Sequence, residues 1–295
     1  MPCRRSIGTV IVAIIVAIMA AFATFAIGMT MTNARVFDES HYPDWTGQWM
    51  RLPVTGIRGN PSWDPNKSEG LAQEAPLTPE YQAKLEASLA DQAAGGAGLD
   101  RDLICMTAGM PRMMNLYSTM EIVITLDQTY ILMSTFNDTR RIFTDGRDWP
   151  ADMPPSYAGY SIGKWIDVDG DGRYDVIEVE TRGFRGMRTL DSTSIPLHAD
   201  NQTIIKERIY ADKANPNIMH DEITIIDNAF TRPWTVTKDY RRGAQAQPVW
   251  RESECIETNS HVLIGNEHYM ISADGLLMPA KKNQAPPDLR YFGKQ

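Results

Sequence analysis

The sequence predicts a mainly β domain, an antiparallel barrel with a β-sandwich as the alternative, carrying one helix on its N-terminal side. Three observations point there. Short runs of β-branched and aromatic residues recur after Cys105, each bounded by turn-forming residues. The connections between most of them are too short for the crossover helices of a βαβ fold. Apolar and polar positions alternate within the runs, as in Trp234-Thr-Val-Thr-Lys-Asp-Tyr240, where Trp234, Val236 and Tyr240 share one face and Thr235, Thr237 and Asp239 the other.

The elements follow in chain order. Arg4 and Arg5 precede an uncharged apolar run from Gly8 to Ile27, the layout of a signal peptide or membrane anchor over residues 1–28. Ala21-Phe22-Ala23 offers small residues for cleavage, while the run also matches the roughly 20 residues that span a bilayer. The expected destination is therefore periplasmic or secreted, with anchoring through residues 8–27 as the alternative and the only membrane contact. Residues 29–100 read as an N-terminal strand, an extended segment and a helix, with residues 40–100 packed as one unit with a barrel domain over 101–295. The stretch from Asn60 to Pro79 is rich in Pro, Ser, Asn and Glu without periodicity. A helix follows it: Thr78 caps, Pro79 suits the first turn, Tyr81, Leu85 and Leu89 form one apolar stripe, and Gly95 and Gly96 end it.

Nine strand candidates come next: Glu121 to Leu126, Tyr130 to Phe136, Arg140 to Thr144, Tyr160 to Asp167, Tyr174 to Thr181, Thr203 to Tyr210, Glu222 to Ile226, Trp234 to Tyr240, and a run around Cys255. No fixed-period repeat is present, which disfavours a propeller or solenoid. Of the three cysteines, Cys3 lies in the N-terminal segment, so Cys105 and Cys255 are expected to pair in an oxidising compartment. The alternative, a nucleophilic cysteine, lacks an adjacent base. A net charge of −8, with no clustering of Lys and Arg among aromatics, excludes nucleic acid as a partner.

Two stretches resemble known groups. Asp44-Trp45-Thr46-Gly47-Gln48-Trp49 resembles the Gly-x-Trp opening of the first strand in lipocalin-like barrels, which implies that Trp49 plugs one barrel end beneath an arginine such as Arg51. From about Cys105 to Cys255 the chain is similar to a group of uncharacterised secreted bacterial proteins. The shared pieces are Gly109-Met110-Pro111-Arg112, Arg140-Arg141-Ile142-Phe143-Thr144-Asp145-Gly146-Arg147, Gly159-Tyr160-Ser161-Ile162-Gly163-Lys164-Trp165 and Glu207-Arg208-Ile209. That resemblance implies a β-rich exported domain and carries no activity with it. Between Trp165 and Val179 the chain departs from the group with a longer, Asp-rich turn.

That turn is the sharpest local motif. Asp167, Asp169, Asp171, Gly172, Asp175 and Glu178 fall on positions one, three, five, six, nine and twelve of a calcium loop, making Ca2+ the candidate cation. Its flanks read as strands, so the alternative is a hairpin whose Asp-Gly-Asp-Gly tip supplies left-handed turn residues. A second cluster, Arg140, Arg141, Asp145, Arg147, Asp148 and Trp149 with Tyr157 and Tyr160, reads either as a solvated hairpin end or as a mouth for an anionic head on an apolar ligand, with Trp165 a further lining candidate. For acid–base chemistry the candidates are His198 with Asp200, His220 with Glu222, Glu207 and Tyr160. Glu207 and Arg208 occupy opposite strand faces, so one enters the interior, where Glu207 would either pair with an arginine from another strand or stand in an apolar cavity with a raised pKa.

No phosphate loop, nucleophile elbow or His-Glu-x-x-His helix is present. The leading expectation is an exported lipocalin-like barrel that needs no cofactor and holds a small hydrophobic molecule, carrying an anionic group in one variant of the reading. The alternatives are a cofactor-independent isomerase, lyase or hydrolase in the same cavity, and a structural or interaction module of the envelope.

Overall fold

Strict alternation along nine residues, Ile218–Ile226, buries Met219, Asp221, Ile223 and Ile225 on one face. The same two-residue period in neighbouring runs builds the architecture of the computed structural model. It describes residues 36–53, 66–67, 71, 73–100, 105–191, 193–245, 248–251, 253, 255, 260–265 and 267–287. The chain divides into units 1–37 and 38–295, and every helix and strand among the described residues lies in the second. The apolar N-terminal run and much of the Asn60 to Pro79 stretch lie outside the described residues. No helix among the described residues is long and apolar enough to cross a membrane.

The elements are β1 (Gln48–Arg51), α1 (Pro79–Ala93), β2 (Thr119–Ile124), β3 (Gln128–Met133), β4 (Thr139–Phe143), β5 (Tyr160–Ile166), β6 (Val176–Arg182), β7 (Ile204–Ala211), β8 (Ile218–Ile226), β9 (Trp234–Arg242), β10 (His261–Ile264), β11 (Glu267–Ile271) and β12 (Leu277–Pro279). Strands β1 to β9 form a closed barrel in sequence order, with β1 pairing both β2 and β9. A separate antiparallel sheet holds β10 to β12.

The expected barrel is present, with one difference in pairing. Every barrel pairing is antiparallel except β4 with β5, which run parallel through Ile142 opposite Ser161 and Phe143 opposite Ile162. Asp145-Gly146 does not close a hairpin there; it starts a long return from Thr144 to Gly159, whose Pro150, Pro154 and Pro155 cannot donate to a ladder. Gly163 lets the two strands approach, since a Cβ at that position would lie 2.6 Å from Ile142 Cγ2. The strand expected around Cys255 is not formed by the described residues: Ser253 makes an isolated bridge to Thr135. Sequence reading missed β10 to β12, whose runs of 4, 5 and 3 residues are too short to show a two-residue period.

Helix α1 starts as its sequence dictates. Thr78 is extended and its hydroxyl accepts from Tyr81 N at 3.4 Å, with Pro79 in the first turn. Tyr81 and Leu85 are buried and Leu89 packs at the margin of the core. Gly95 ends the helix at φ 93°, a left-handed conformation in which its amide bonds Gln92 O at 2.9 Å. Around α1, Thr78 N bonds Ala229 O and Thr231 N bonds Pro76 O, each at 2.8 Å, which ties the helix to the β8–β9 connection.

Aromatic rings fill the opposite end. Trp165 on β5 meets Tyr42 at 5.5 Å and Trp45 at 5.1 Å, and Trp49 Nε1 donates to Trp45 O at 2.9 Å. The arginine over Trp49 is Arg242, 4.7 Å from the ring, instead of Arg51. Register explains the exchange: Arg242 on β9 stands directly opposite Trp49, whereas the Arg51 guanidinium bonds Asn115 O and covers Tyr117. Cys105 and Cys255 form a disulfide with a Cα separation of 5.4 Å.

Candidate functional site

Inward positions of β4 to β9 carry a polar layer within the apolar barrel. Arg140 on β4 donates Nη1 to Glu207 Oε1 at 2.8 Å and Nη2 to Glu207 Oε2, and the two side chains are 1% and 0% exposed. Thr181 and Ser161 complete the guanidinium's bonds, at 3.0 Å and 3.4 Å. Of the two alternatives for Glu207, the structure therefore shows the cross-barrel pairing with arginine.

The isolated carboxylate is a different one. Asp221 on β8 is fully buried and neither of its oxygens has a hydrogen-bond partner. Burial raises its pKa well above the ordinary carboxylate range, and the Glu207 charge adds to the rise. Directly opposite on β9, Lys238 is buried as well; desolvation, reinforced by Arg51, brings its pKa down to about 8. Tyr240 donates its hydroxyl to Met114 O at 2.6 Å. With Trp49, Met120, Ile131, Ile142, Ile177 and Trp234 also buried, side chains fill these inward positions.

The four acid–base candidates do not converge. Glu207 points into the barrel, whereas His220 and Tyr160 occupy the alternate, outward positions of β8 and β5, and His198 lies in the β6–β7 connection. His198 does meet Asp200, at 3.1 Å. His220 does not pair with Glu222; its Nδ1 meets Asp239 at 2.6 Å and its Nε2 meets Asp212 at 3.3 Å. Cross-strand neighbours sit closer than residues two apart on one strand, which is why Asp239 wins and Glu222 instead accepts from Tyr210. Burial disfavours charge on His220, but its two carboxylates together outweigh that and raise its pKa.

The expected mouth is partly assembled. Arg147 bonds Asp145 at 2.9 and 2.6 Å, covers Phe143 at 3.9 Å and donates to the Tyr160 hydroxyl at 3.3 Å. Trp149 stands 6.1 Å from Tyr160, with Arg182 over its ring. Arg141 is exposed on β4 opposite Tyr130, the Tyr157 ring lies beneath Arg185 at 5.6 Å, and Trp165 lies inside the barrel, so these three do not join the cluster. In the β5–β6 turn, Asp167, Asp169 and Asp175 bring ligand oxygens within 4.8 Å of one another. Those carboxylates already serve the turn. Asp167 accepts from Gly170 N and Gly172 N, Asp175 from Val168 N, and Asp169 pairs with Lys213. Asp171 accepts from Arg173 N, and Glu178 stands on β6 between Lys164 and Arg208 in register.

A groove that sequence reading missed lies between α1 and the segment from Met187 to Ala199. It encloses about 260 Å³ and is walled by Tyr81, Leu99, Met187, Pro196 and Leu197, with Lys84 at its side and Arg188 among its lining residues. Arg188 is 5% exposed. Its Nη2 donates to Thr203 Oγ1 and to His198 O, Thr203 in turn donates to Asp227 at 2.5 Å, and the guanidinium lies 4.4 Å from the Phe184 ring. Nε and Nη1 have no partner. Burial lowers the pKa of Arg188 to about 10 against the pull of Asp227 and Asp200. The available signal was the Arg182-Gly-Phe-Arg185-Gly-Met-Arg188 run, but a connection has no periodicity from which to decide which arginine turns inward.

Compared with known proteins, the chain matches no family model and no curated protein.

Proposed function

We propose that this protein is an exported small-molecule-binding barrel whose ligand occupies the groove between α1 and residues 187–199. The observation that carries the reading is the groove itself, a concave, mostly apolar surface formed where α1 meets the β6–β7 connection, beside a barrel whose interior positions hold side chains. On this reading the hydrophobic ligand sits in the groove beside α1 instead of inside the barrel. The basic and apolar N-terminus and the Cys105–Cys255 disulfide support delivery to an oxidising compartment.

The test is a chemical-shift titration of the full-length protein with benzyl alcohol and hexanol. Saturable shifts are expected at the amides of Tyr81, Leu99 and Leu197, and Ala199→Trp, which extends a bulky ring from an exposed wall position, should abolish them. Shifts scattered over the barrel surface, or a response unchanged in Ala199→Trp, would sink the reading.

A further inference from the structure

We propose that Arg188 makes the groove selective for compact apolar monocarboxylates, such as an aromatic or short-chain fatty acid, by receiving the carboxylate on its guanidinium. The inference rests on the groove being the ligand site and adds the ligand's charge and class.

Four observations carry it. First, Arg188 is almost wholly withdrawn from water, yet Nε and Nη1 bond to nothing, while burying a charged donor without partners costs free energy. A carboxylate oxygen is the acceptor that best repairs that deficit, through a charge-assisted bond. Second, the one hydrogen-bonding arm, Nη2, is fixed by Thr203, which is fixed by Asp227, so the guanidinium is held before any ligand arrives. Third, the volume of about 260 Å³ falls just under the range of roughly 300–1,000 Å³ usual for drug-sized ligands, and its walls are largely apolar, so a single ring or short chain fits better than a polar metabolite.

Fourth, the surrounding charges limit the anion to one charge. Lys84 is already engaged by Glu80 at 2.7 Å and lies over the Tyr81 ring. From the packed connections, Asp200 pairs with His198 and Asp227 accepts from Thr203, so Glu80, Asp200 and Asp227 all bring negative charge toward the groove while Arg188, Lys84 and, when protonated, His198 oppose it. A phosphate monoester, with about −1.5 to −2 charge, meets more repulsion there than a carboxylate does.

The experiment compares benzoate and hexanoate with benzyl alcohol, hexanol and phenyl phosphate by calorimetric titration of the full-length protein and of Arg188→Met. In the wild type both acids should bind at least about tenfold more tightly than the matching alcohols and than phenyl phosphate. In Arg188→Met that preference should fall below about twofold while alcohol binding persists. Equal binding of acid and alcohol by the wild type, or a preference kept without Arg188, overturns the proposal and leaves the groove reading standing. Failure of acids and alcohols alike removes the groove reading and the proposal with it. A measurement on the wild type alone guards against a variant that does not fold: benzoate should shift the Arg188 Nε–H resonance and benzyl alcohol should not. A silent Arg188 resonance in saturating benzoate would refute the anchor.

Discussion

Asp221 is a fully buried carboxylate with no hydrogen-bond partner on either oxygen. A carboxylate whose folded pKa is raised above its unfolded value binds a proton in the native state over a range where the unfolded chain does not, so stability falls as pH rises from the unfolded pKa toward the folded one. Asp221 therefore weakens the barrel at neutral pH and is nearly neutral in acid. Asp221→Asn keeps the shape and removes the charge; its thermal midpoint should exceed that of the wild type at about pH 8 and match it at about pH 4. A midpoint lower than wild type at the higher pH would show that Asp221 is needed to balance Lys238 and Arg140. The choice facing Glu207 was legible, but the run read as a strand, Glu222 to Ile226, stops one residue short of Asp221, whose inward direction follows only from the strand's full extent, Ile218–Ile226. Which carboxylate obtained the arginine was not, since Arg140 reaches Glu207 across the barrel from a strand that is not its neighbour.

At the scale of elements, local pattern and long-range closure separate cleanly. Thr78, Pro79 and the Tyr81–Leu85 stripe specify α1 within one stretch of chain, and eight of the nine strand candidates lie where alternation puts them. The parallel seam between β4 and β5 was not legible, because it depends on the path of a return segment with no period of its own. That seam is narrow, with two pairs in register, and it depends on Gly163 facing Ile142. Adding a side chain at Gly163 forces Ile142 Cγ2 aside, with Ile177 Cδ1 next at 3.2 Å. Gly163→Val should accordingly cost about 2 kcal/mol or more by overpacking, and Gly163→Val with Ile142→Ala should recover part of the loss by freeing the volume. Denaturant titration of the two single variants and the pair gives the coupling; strictly additive losses would show that the seam tolerates the Cβ by moving elsewhere.

Over the whole molecule, closure is concentrated at β1, a strand of 4 residues that joins β2 to β9. The segment leading into β2 reinforces it from inside, since Asn115 O receives Arg51 and Met114 O receives Tyr240. Cys105 begins that segment. Its partner Cys255 lies two residues from Ser253, whose amide bonds Ser134 O and whose carbonyl receives Phe136 N, each at 3.0 Å, at the end of β3. The disulfide thus pins the segment that braces the closing strand to a strand already in the sheet, across a sequence separation of 150. A cross-link over so long a loop restricts the unfolded chain by about 5 kcal/mol on the chain-entropy argument, with measured losses usually near 2–5 kcal/mol. Replacing both cysteines by serine should lower the unfolding free energy by that amount while the far-ultraviolet spectrum of the barrel persists. The loss should also surface first as faster hydrogen exchange in β1 and in residues 112–118, because those groups depend on the pinned segment for their partners. Uniform loss of protection across all nine barrel strands would mean that the cross-link acts on the unfolded chain alone and does not brace the closing strand.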